Sequence, residues 1–392
     1  MNMQTKKIAL VTCYFQHNYG SQLQAFATQM ICDKLGMENE TICIDGLKPE
    51  INRAKYRYFL SRIFDINTIK DKMATVKKQI AKRTNREYRQ NLAKRDALFT
   101  KFANEHFKLS CPYHSKTELR EHAHEYAAFV VGSDQLWLPS NIAADYYTLN
   151  FVPKQIKKIA YATSFGVSSL PHKQAAEAKL FLKRLDAVFV RESSGQRLVK
   201  ELTGRNVSLV CDPTLLFTAE EWNKKAPATR RVQEPYILCY FLGNNPGQRL
   251  FARRLAKRTH CKIVQLPNLD EYIKSDERFA DEPLYEVSPL DFVALIRDAK
   301  YVLTDSFHCT VFSTLFSKPF FSFRRYNNDS RVSTNSRIYS LLDTFGTPER
   351  LLDGTEDIDE CIKMKIDFDT VHKNILDLRQ QSVDMLLEAL RK

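Results

Sequence analysis

The residues best suited to chemistry lie in the segment Thr304-Asp-Ser-Phe-His308, where an apolar run gives way to small and polar side chains. The run 301–303 predicts a β-strand, and the apolar spacing that follows predicts a helix over 308–316. Ser306 and His308 would then lie where a strand ends and a helix begins, which is where open α/β sheets bind ligands. The N–H groups of a helix start favour an anion, and a histidine can bind it or transfer a proton near neutral pH.

Two other predicted strands also end in residues that could act on a substrate. Asp134 follows the strand 127–131, where its carboxylate could act as a general base, bind a hydroxyl group or cap the next element. Arg191 follows the strand 187–190 and could hold a carboxylate or phosphate with two parallel hydrogen bonds. An internal ion pair with Glu192 is the structural alternative.

Two further polar segments are interpreted as turns. Asn18 and Gly20 permit a tight turn with positive φ, and Ser21 can cap the helix after it. Asp212 precedes a proline, which is typical of a turn rather than of a catalyst. The first turn lacks the pattern G-x-G-x-x-G and the chain has no P-loop, so a dinucleotide is not expected.

The elements that must position these residues alternate between strand and helix patterns. The first half carries strands at 8–14, 41–44, 127–131, 158–163, 187–190 and 207–210. After a polar stretch at 224–234, the second half carries strands at 236–242, 262–266, 301–303 and 320–323. This alternation predicts an α/β protein with two parallel sheets covered by helices, as two Rossmann-like domains that face each other across a cleft.

The predicted boundaries follow from this alternation. An N-terminal Rossmann-like domain is expected over 1–223, with a basic helical insertion at about 51–105, and a C-terminal one over 235–368. The amphipathic helix at 369–392 is expected to pack back on the N-terminal domain.

Charge is concentrated in one part of the chain. The net charge is +13, and 51–101 alone carries 15 Lys and Arg against 4 Asp and Glu. Three interpretations remain open for this segment: a solvated helical insertion, a surface that binds an anionic membrane, or a nucleic-acid site. Nucleic acid is the least favoured partner, because no base-reading motif accompanies the charge.

Composition restricts the class of protein. Hydrophobic residues make up 44% of the 392 residues and charged residues 27%, and no apolar run approaches the roughly 20 residues of a membrane span. The start shows no signal-peptide pattern, so a cytoplasmic protein is expected. The nine cysteines are scattered without a C-x-x-C pair, which predicts reduced thiols and no metal site.

Five motifs occur in an order that resembles the polysaccharide pyruvyltransferase family, over about 8–345 without the basic segment. They are Asn18-Tyr-Gly-Ser-x-Leu-Gln-Ala25, Gly132-Ser-Asp-Gln-x-Trp137, Val190-Arg-Glu192, Cys211-Asp-Pro-Thr214 and Thr304-Asp-Ser-Phe-His308. The resemblance implies a GT-B-like fold and phosphoenolpyruvate as donor, with no further cofactor. It also implies a sugar acceptor with two suitably placed hydroxyl groups and a cyclic pyruvate ketal as product, in cell-surface polysaccharide biosynthesis.

The resemblance also implies roles for individual residues. His308 and Arg191 carry over as catalytic or donor-binding residues, and Asp134 is expected as the base toward the acceptor. Donor binding is further expected from Asn18, Tyr19, Gly20 and Ser306. Many relatives have arginine where this chain has Ser306, so another cation is expected to meet the donor: Arg324, Arg325 or Arg337.

Two alternative functions fit the same cleft. One is a GT-B glycosyltransferase that uses a nucleotide sugar, since the cleft could bind a diphosphate. The other is a non-catalytic protein that binds a glycan or lipid carrier. A lipid-linked oligosaccharide acceptor would bring the protein to the inner face of the membrane.

Overall fold

The structure, a computed structural model, describes residues 6–62, 78–325 and 336–391. Part of the basic segment, 63–77, lies outside the described residues. Two six-stranded sheets form the framework, and every pair of neighbouring strands in them is parallel. The prediction of two parallel sheets is therefore confirmed.

The first sheet has the order β2-β1-β3-β4-β5-β6. Its strands are β1 (Lys7–Val11), β2 (Asn39–Thr41), β3 (Tyr126–Val131), β4 (Lys157–Ala160), β5 (Ala187–Val190) and β6 (Ser208–Leu209). The helices of this half are α1 (Tyr19–Lys34), α2 (Lys48–Leu60), α3 (Arg86–His106), α4 (Lys116–Glu121), α5 (Pro139–Ala144), α6 (His172–Arg184), α7 (Ser193–Thr203) and α8 (Ala219–Asn223).

The second sheet has the order β12-β11-β10-β7-β8-β9. Its strands are β7 (Tyr236–Tyr240), β8 (Lys262–Gln265), β9 (Glu282–Pro283), β10 (Tyr301–Thr304), β11 (Phe320–Phe323) and β12 (Leu351–Leu352). The helices are α9 (Pro246–Thr259), α10 (Pro289–Asp298), α11 (Phe307–Leu315), α12 (Ser336–Phe345), α13 (Ile358–Lys363) and α14 (Phe368–Arg391). Every residue of β7 and β11 is buried, as expected of strands covered on both faces.

Several strands are shorter than predicted, and the difference lies at their carboxyl ends. The predicted strand 8–14 ends at Val11, and the predicted strand 158–163 ends at Ala160. After Val11 the chain leaves the sheet and forms the loop that carries Gln16 and Asn18 of the candidate cavity. The two-residue strands β9 and β12 were not predicted, because two residues show no periodicity.

The two sheets are joined by an aromatic contact between α1 and α10. The rings of Tyr19 and Phe292 stack with centroids 4.6 Å apart, and the Tyr19 hydroxyl donates to the carbonyl of Val287 at 3.3 Å. Tyr19 was expected to bind the donor. The structure instead buries its ring between the two domains, where an aromatic stack excludes water.

The second half of the basic segment, α3, also contacts the C-terminal domain. Tyr88 donates its hydroxyl to the carbonyl of Leu269 at 2.9 Å, and Arg95 pairs with Asp270 at 3.0 Å. Nearby, Lys94 pairs with Glu286 at 2.6 Å. This part of the segment is therefore not simply solvated, since its cations meet acidic groups of the other domain.

The C-terminal helix α14 lies against the first domain. Ser382 accepts a hydrogen bond from the backbone N–H of Cys211 at 3.0 Å, and Arg379 donates to the carbonyl of Leu215 at 2.6 Å. Within the described parts of the chain, no helix combines the length and the apolar character needed to cross a membrane.

Candidate functional site

A cavity of about 270 Å³ lies where the carboxyl ends of the two sheets face each other. The N-terminal domain lines it with Gln16, Asn18, Ser21, Lys55, Asp134, Gln135, Leu136, Leu138, Ser140 and Asn141. The C-terminal domain lines it with Leu242, Ser306, Phe307, His308, Arg325 and Arg337. Larger grooves of about 760 and 620 Å³ lie along α2 and α14, but strand ends of both sheets meet only in the smallest of these three spaces.

The strand order explains why the cavity forms here. In the first sheet the order reverses between β1 and β3, and in the second between β7 and β10. The loops after such neighbouring strands diverge and leave a crevice, which is the usual ligand position in this kind of sheet. Asp305 fixes the second crevice, since its carboxylate accepts from the backbone N–H groups of Leu242 and Gly243 at 2.7 and 2.8 Å.

His308 lies in the first turn of α11 and is 6% exposed. Ser306 is the N-cap residue and accepts from the N–H of Cys309 at 3.5 Å, so the start of the helix faces the cavity. The imidazole lies so close to Gly20 that a Cβ atom on this glycine would come 2.0 Å from Nδ1.

Gly20 therefore has a different role from the one expected. It lies inside α1 and has no positive φ, so it does not form the predicted tight turn. A glycine is needed because any larger residue would overlap the ring of His308. The residue that caps α1 is also different from the predicted Ser21. Asn18 is the N-cap residue, and its side chain accepts a hydrogen bond from the backbone N–H of Ser21 at 3.1 Å.

Asp212 is a site residue that the sequence interpretation missed. It does form a turn, since it accepts from the N–H of Thr214 at 3.0 Å, but its second oxygen lies 3.4 Å from Nε2 of His308. Burial alone would raise the pKa of Asp212, but His308 and Arg191 outweigh it and hold that pKa well below its usual range. Its position at the end of β6, within one of the five motifs, was the available signal.

Arg191 does not reach the cavity as the predicted anion clamp. Its guanidinium donates to Asp212 at 2.7 Å and to Asp134 at 3.3 Å, and its Nε lies 3.8 Å from Glu192. The side chain is 1% exposed, and its face covers the ring of Phe307 at 4.4 Å. Two carboxylates accept hydrogen bonds from the guanidinium and a third lies near its Nε, so in this arrangement Arg191 holds other site residues in place.

Asp134 lies on the cavity wall with an unusual backbone, φ 82°. Such a conformation is costly for a residue other than glycine and points the carboxylate into the site. Ser21 donates to it at 2.5 Å. Burial would raise the pKa of Asp134, but Arg191, His308 and Ser21 together lower it to about 2. A carboxylate held this strongly ionised is a weaker general base than the sequence led us to expect.

The three candidate arginines of the C-terminal domain are placed differently. Arg325 and Arg337 line the cavity, whereas Arg324 turns away and bonds to Tyr339 and Asp353. Gln135, with its amide oxygen toward Arg337, accepts from Nη2 at 2.8 Å and from Nε at 3.2 Å. Burial, followed by the nearby Arg191, lowers the pKa of Arg337 to about 10, which still leaves it charged at neutral pH.

The site therefore has a positive wall and a wall of mixed charge. Arg325 and Arg337, with His308 beside them, come from the C-terminal domain, and Asp134 and Lys55 come from the N-terminal domain. Among the residues that the structure describes, no group of three or more His, Cys, Asp or Glu side chains is arranged to hold a metal ion. An anionic substrate that also presents hydroxyl groups is the ligand that these two walls would suit.

Comparison with known proteins gives a family match over most of the chain. A sequence profile described as polysaccharide pyruvyl transferase matches residues 18–327, which include every residue of the cavity wall except Gln16 and Arg337. No curated protein is significantly similar to the chain in sequence.

Solved structures share the fold at low sequence identity. A UDP-N-acetylglucosamine 2-epimerase superposes with a TM-score of 0.50 and 10% identity, over 97% of this chain and 95% of that chain. A UDP-GlcNAc 2-epimerase from Methanocaldococcus jannaschii gives 0.49 and 10%, over 92% of each chain. The glycosyltransferase SnogD from Streptomyces nogalater gives 0.44 and 10%, over 97% of this chain and 96% of that chain. The fold is GT-B, as predicted.

Proposed function

This chain belongs to the polysaccharide pyruvyl transferase family, and from that premise we propose that it transfers pyruvate from phosphoenolpyruvate to two hydroxyl groups of a sugar. The product is a cyclic ketal in cell-surface polysaccharide biosynthesis. The observation that carries the proposal is the positive wall of His308, Arg325 and Arg337 at the start of α11, opposite the ionised Asp134.

The donor fits the positive wall by charge. Phosphoenolpyruvate carries a phosphate and a carboxylate, and each needs cations or N–H donors. Arg325 and Arg337 supply guanidinium groups, and the start of α11 supplies backbone N–H groups and the positive end of the helix dipole. These two arginines take the place of the one that many relatives carry at the position of Ser306.

The chemistry requires one proton on the methylene carbon of the donor. We assign that proton to His308, whose imidazole lies between the cavity and the carboxylate of Asp212. The oxygen of the first sugar hydroxyl bonds to the central carbon while the methylene takes the proton from His308 and becomes a methyl group. The proton of that hydroxyl then passes to His308 and restores it. Phosphate then leaves with its electron pair, the second hydroxyl closes the ring, and the second hydroxyl proton leaves with the phosphate.

The acceptor fits the other wall. Asp134 is ionised across the neutral range, so it can accept a hydrogen bond from a sugar hydroxyl and orient it toward the donor. Ser21 holds the carboxylate at 2.5 Å, and the amide of Asn141 lines the same wall. This role for Asp134 requires only a fixed acceptor, which its environment provides better than a basic group.

The direct test is release of phosphate and formation of acid-labile pyruvate on a sugar acceptor. Phosphoenolpyruvate should also raise the melting temperature, and UDP-sugars, the donors of the alternative glycosyltransferase function, should not. At about 100 times its Kd, the donor should stabilise the chain by about 2.7 kcal/mol. Stabilisation by UDP-sugars alone would contradict the proposal.

We further propose that the protein works at an anionic inner membrane surface on a lipid-linked acceptor. The outward face of α2 exposes Tyr56 and Leu60, 65% and 45% respectively, beside the exposed Arg57. A basic and aromatic helix face of this kind suits anionic lipid. Co-sedimentation with phosphatidylglycerol vesicles should fall when Tyr56, Arg57 and Leu60 are replaced by serine, and phosphatidylcholine vesicles serve as the control.

A further inference from the structure

Lys55, a cation of the basic segment, is partly buried and lines the candidate cavity. Lys55 lies one helical turn after Ile51 in α2, and Ile51 is buried against the first domain. Residues four apart share a helix face, so Lys55 occupies a position where the helix would otherwise place an apolar side chain. Its exposed neighbour Arg53 is on the other face.

Lys55 lines the candidate cavity and lacks a compensating group. Within the described residues it makes neither a hydrogen bond nor an ion pair, whereas Lys48 in the same helix pairs with Asp45 at 2.8 Å. Burial lowers the pKa of Lys55, and no described carboxylate offsets this effect. A partly buried cation without a partner is unfavourable unless a ligand supplies the negative charge.

Lys55 belongs to the N-terminal side of the cavity, not to the positive wall on which we placed the donor. Helix α2 packs against α5, and α5 contributes Ser140 and Asn141 to the same cavity. Hydroxyl and amide groups of this kind bind sugar hydroxyls, whereas the arginines and His308 belong to the opposite domain. An anion beside Lys55 would therefore be attached to the sugar that accepts the pyruvate.

We infer that Lys55 binds a negatively charged group on the acceptor, so that the substrate is an anionic sugar carrying a phosphate or a carboxylate. This inference rests on the proposed function for its division into a donor wall and an acceptor wall. Lys55 then determines acceptor specificity, and the basic segment contributes to the site itself.

The test measures binding of three sugars to the full chain by calorimetry: a hexose 1-phosphate, the matching hexuronate and the matching neutral methyl hexoside, in the glucose and galactose series. Each titration is run with and without saturating phosphoenolpyruvate. The wild type should bind at least one anionic sugar roughly tenfold to a hundredfold more tightly than the neutral one, as expected for a charged hydrogen bond. The phosphate and uronate arms distinguish the two sources of charge.

Three variants test whether the side chain of Lys55 is responsible for the preference. Lys55→Met should lose the preference for the anionic sugar, Lys55→Arg should keep most of it, and Arg53→Met, which removes an exposed charge from the same helix, should leave it unchanged. Binding of phosphoenolpyruvate should be the same in all four proteins. Circular dichroism and melting temperature check that each variant is folded.

Three results would overturn the inference: no preference for an anionic sugar in the wild type, a preference that survives Lys55→Met, or a loss of phosphoenolpyruvate binding in Lys55→Met. A fourth result concerns the proposed function alone. If the wild type ignores phosphoenolpyruvate but still binds an anionic sugar through Lys55, the donor assignment fails and the role of Lys55 stands.

Discussion

Arg191 and Arg337 are both buried arginines of the same site, yet their surroundings differ. Arg191 lies among Asp134, Asp212 and Glu192. Arg337 makes no ion pair with any residue that the structure describes and bonds to the neutral amide of Gln135. Both are nine-tenths or more shielded from water.

The difference in partners between the two arginines suggests a criterion for recognising a cation that binds a ligand. A buried guanidinium that already meets carboxylates is neutralised by the protein, so it has little attraction left for an anionic substrate. A buried guanidinium that meets only an amide keeps its charge for something that arrives from solution. By this criterion we propose that Arg191 organises the site and that Arg337 is the arginine available to bind the substrate.

The largest effect should come from Arg191→Met. This change takes the guanidinium away from the buried carboxylates of Asp134 and Asp212, which should lower the free energy of unfolding by about 3–5 kcal/mol. Arg337→Met removes a cation without orphaning a carboxylate, so it should cost little stability while weakening binding of phosphoenolpyruvate. Urea denaturation of both variants measures the contrast, and equal losses would erase the distinction.

The next effect concerns the contact between Gly20 and His308. Gly20→Ala places a methyl group where the imidazole lies, so it should lower turnover by about 10²–10⁴-fold, as loss of an acid–base group does. His308→Ala should lower turnover to the same extent. The double variant Gly20→Ala with His308→Ala should be more stable than Gly20→Ala alone, because the methyl group no longer meets the ring. It should not regain activity. Failure to recover stability would mean that the glycine serves some purpose other than space for the ring.

A smaller effect should separate two adjacent arginines. Arg325 lines the cavity, whereas Arg324 bonds to Asp353 outside it. Arg325→Met should therefore weaken phosphoenolpyruvate binding by roughly tenfold to a hundredfold, the value of a charged hydrogen bond. Arg324→Met removes the same charge one residue earlier and should leave the Kd unchanged. Equal weakening would show that only overall charge matters.

The smallest effect is on acid stability. The pKa of Asp134 is about 2 in the folded protein and 3.8 ordinarily, so its ionised form stabilises the fold by about 2 kcal/mol above pH 4. This contribution is lost as the pH falls from about 4 to 2. The gap in melting temperature between the wild type and Asp134→Asn should be constant from pH 8 to 5 and should narrow below pH 4. A constant gap down to pH 3 would contradict the lowered pKa.

The sequence predicted the framework well because parallel strands are long apolar runs with a clear pattern. It also predicted two residues of the cavity wall, since the polar residues Asp134 and His308 follow closely after those runs. The family was recognised differently, from the order of the five motifs, and the GT-B fold followed from that resemblance; both expectations are confirmed.

Pairing between side chains could not be predicted, because it depends on which distant residues the fold brings together. Arg191 looked like a substrate clamp until the fold placed Asp212 beside it. Lys55 looked like one charge among many in a basic segment, and no spacing revealed that its face of α2 turns toward the cavity. Gly20 looked like a turn residue for the same reason, since His308 lies far away in the sequence.

The position of α14 has a consequence for folding during synthesis. Ser382 and Arg379 of α14 hold backbone groups of Cys211 and Leu215, which belong to the lobe that leaves the ribosome first. Domains usually complete their folding in the order of synthesis. The part of the first domain that α14 covers therefore stays exposed until residues 368–391 have been synthesised. A nascent chain stalled before residue 368 should still bind chaperones at that surface.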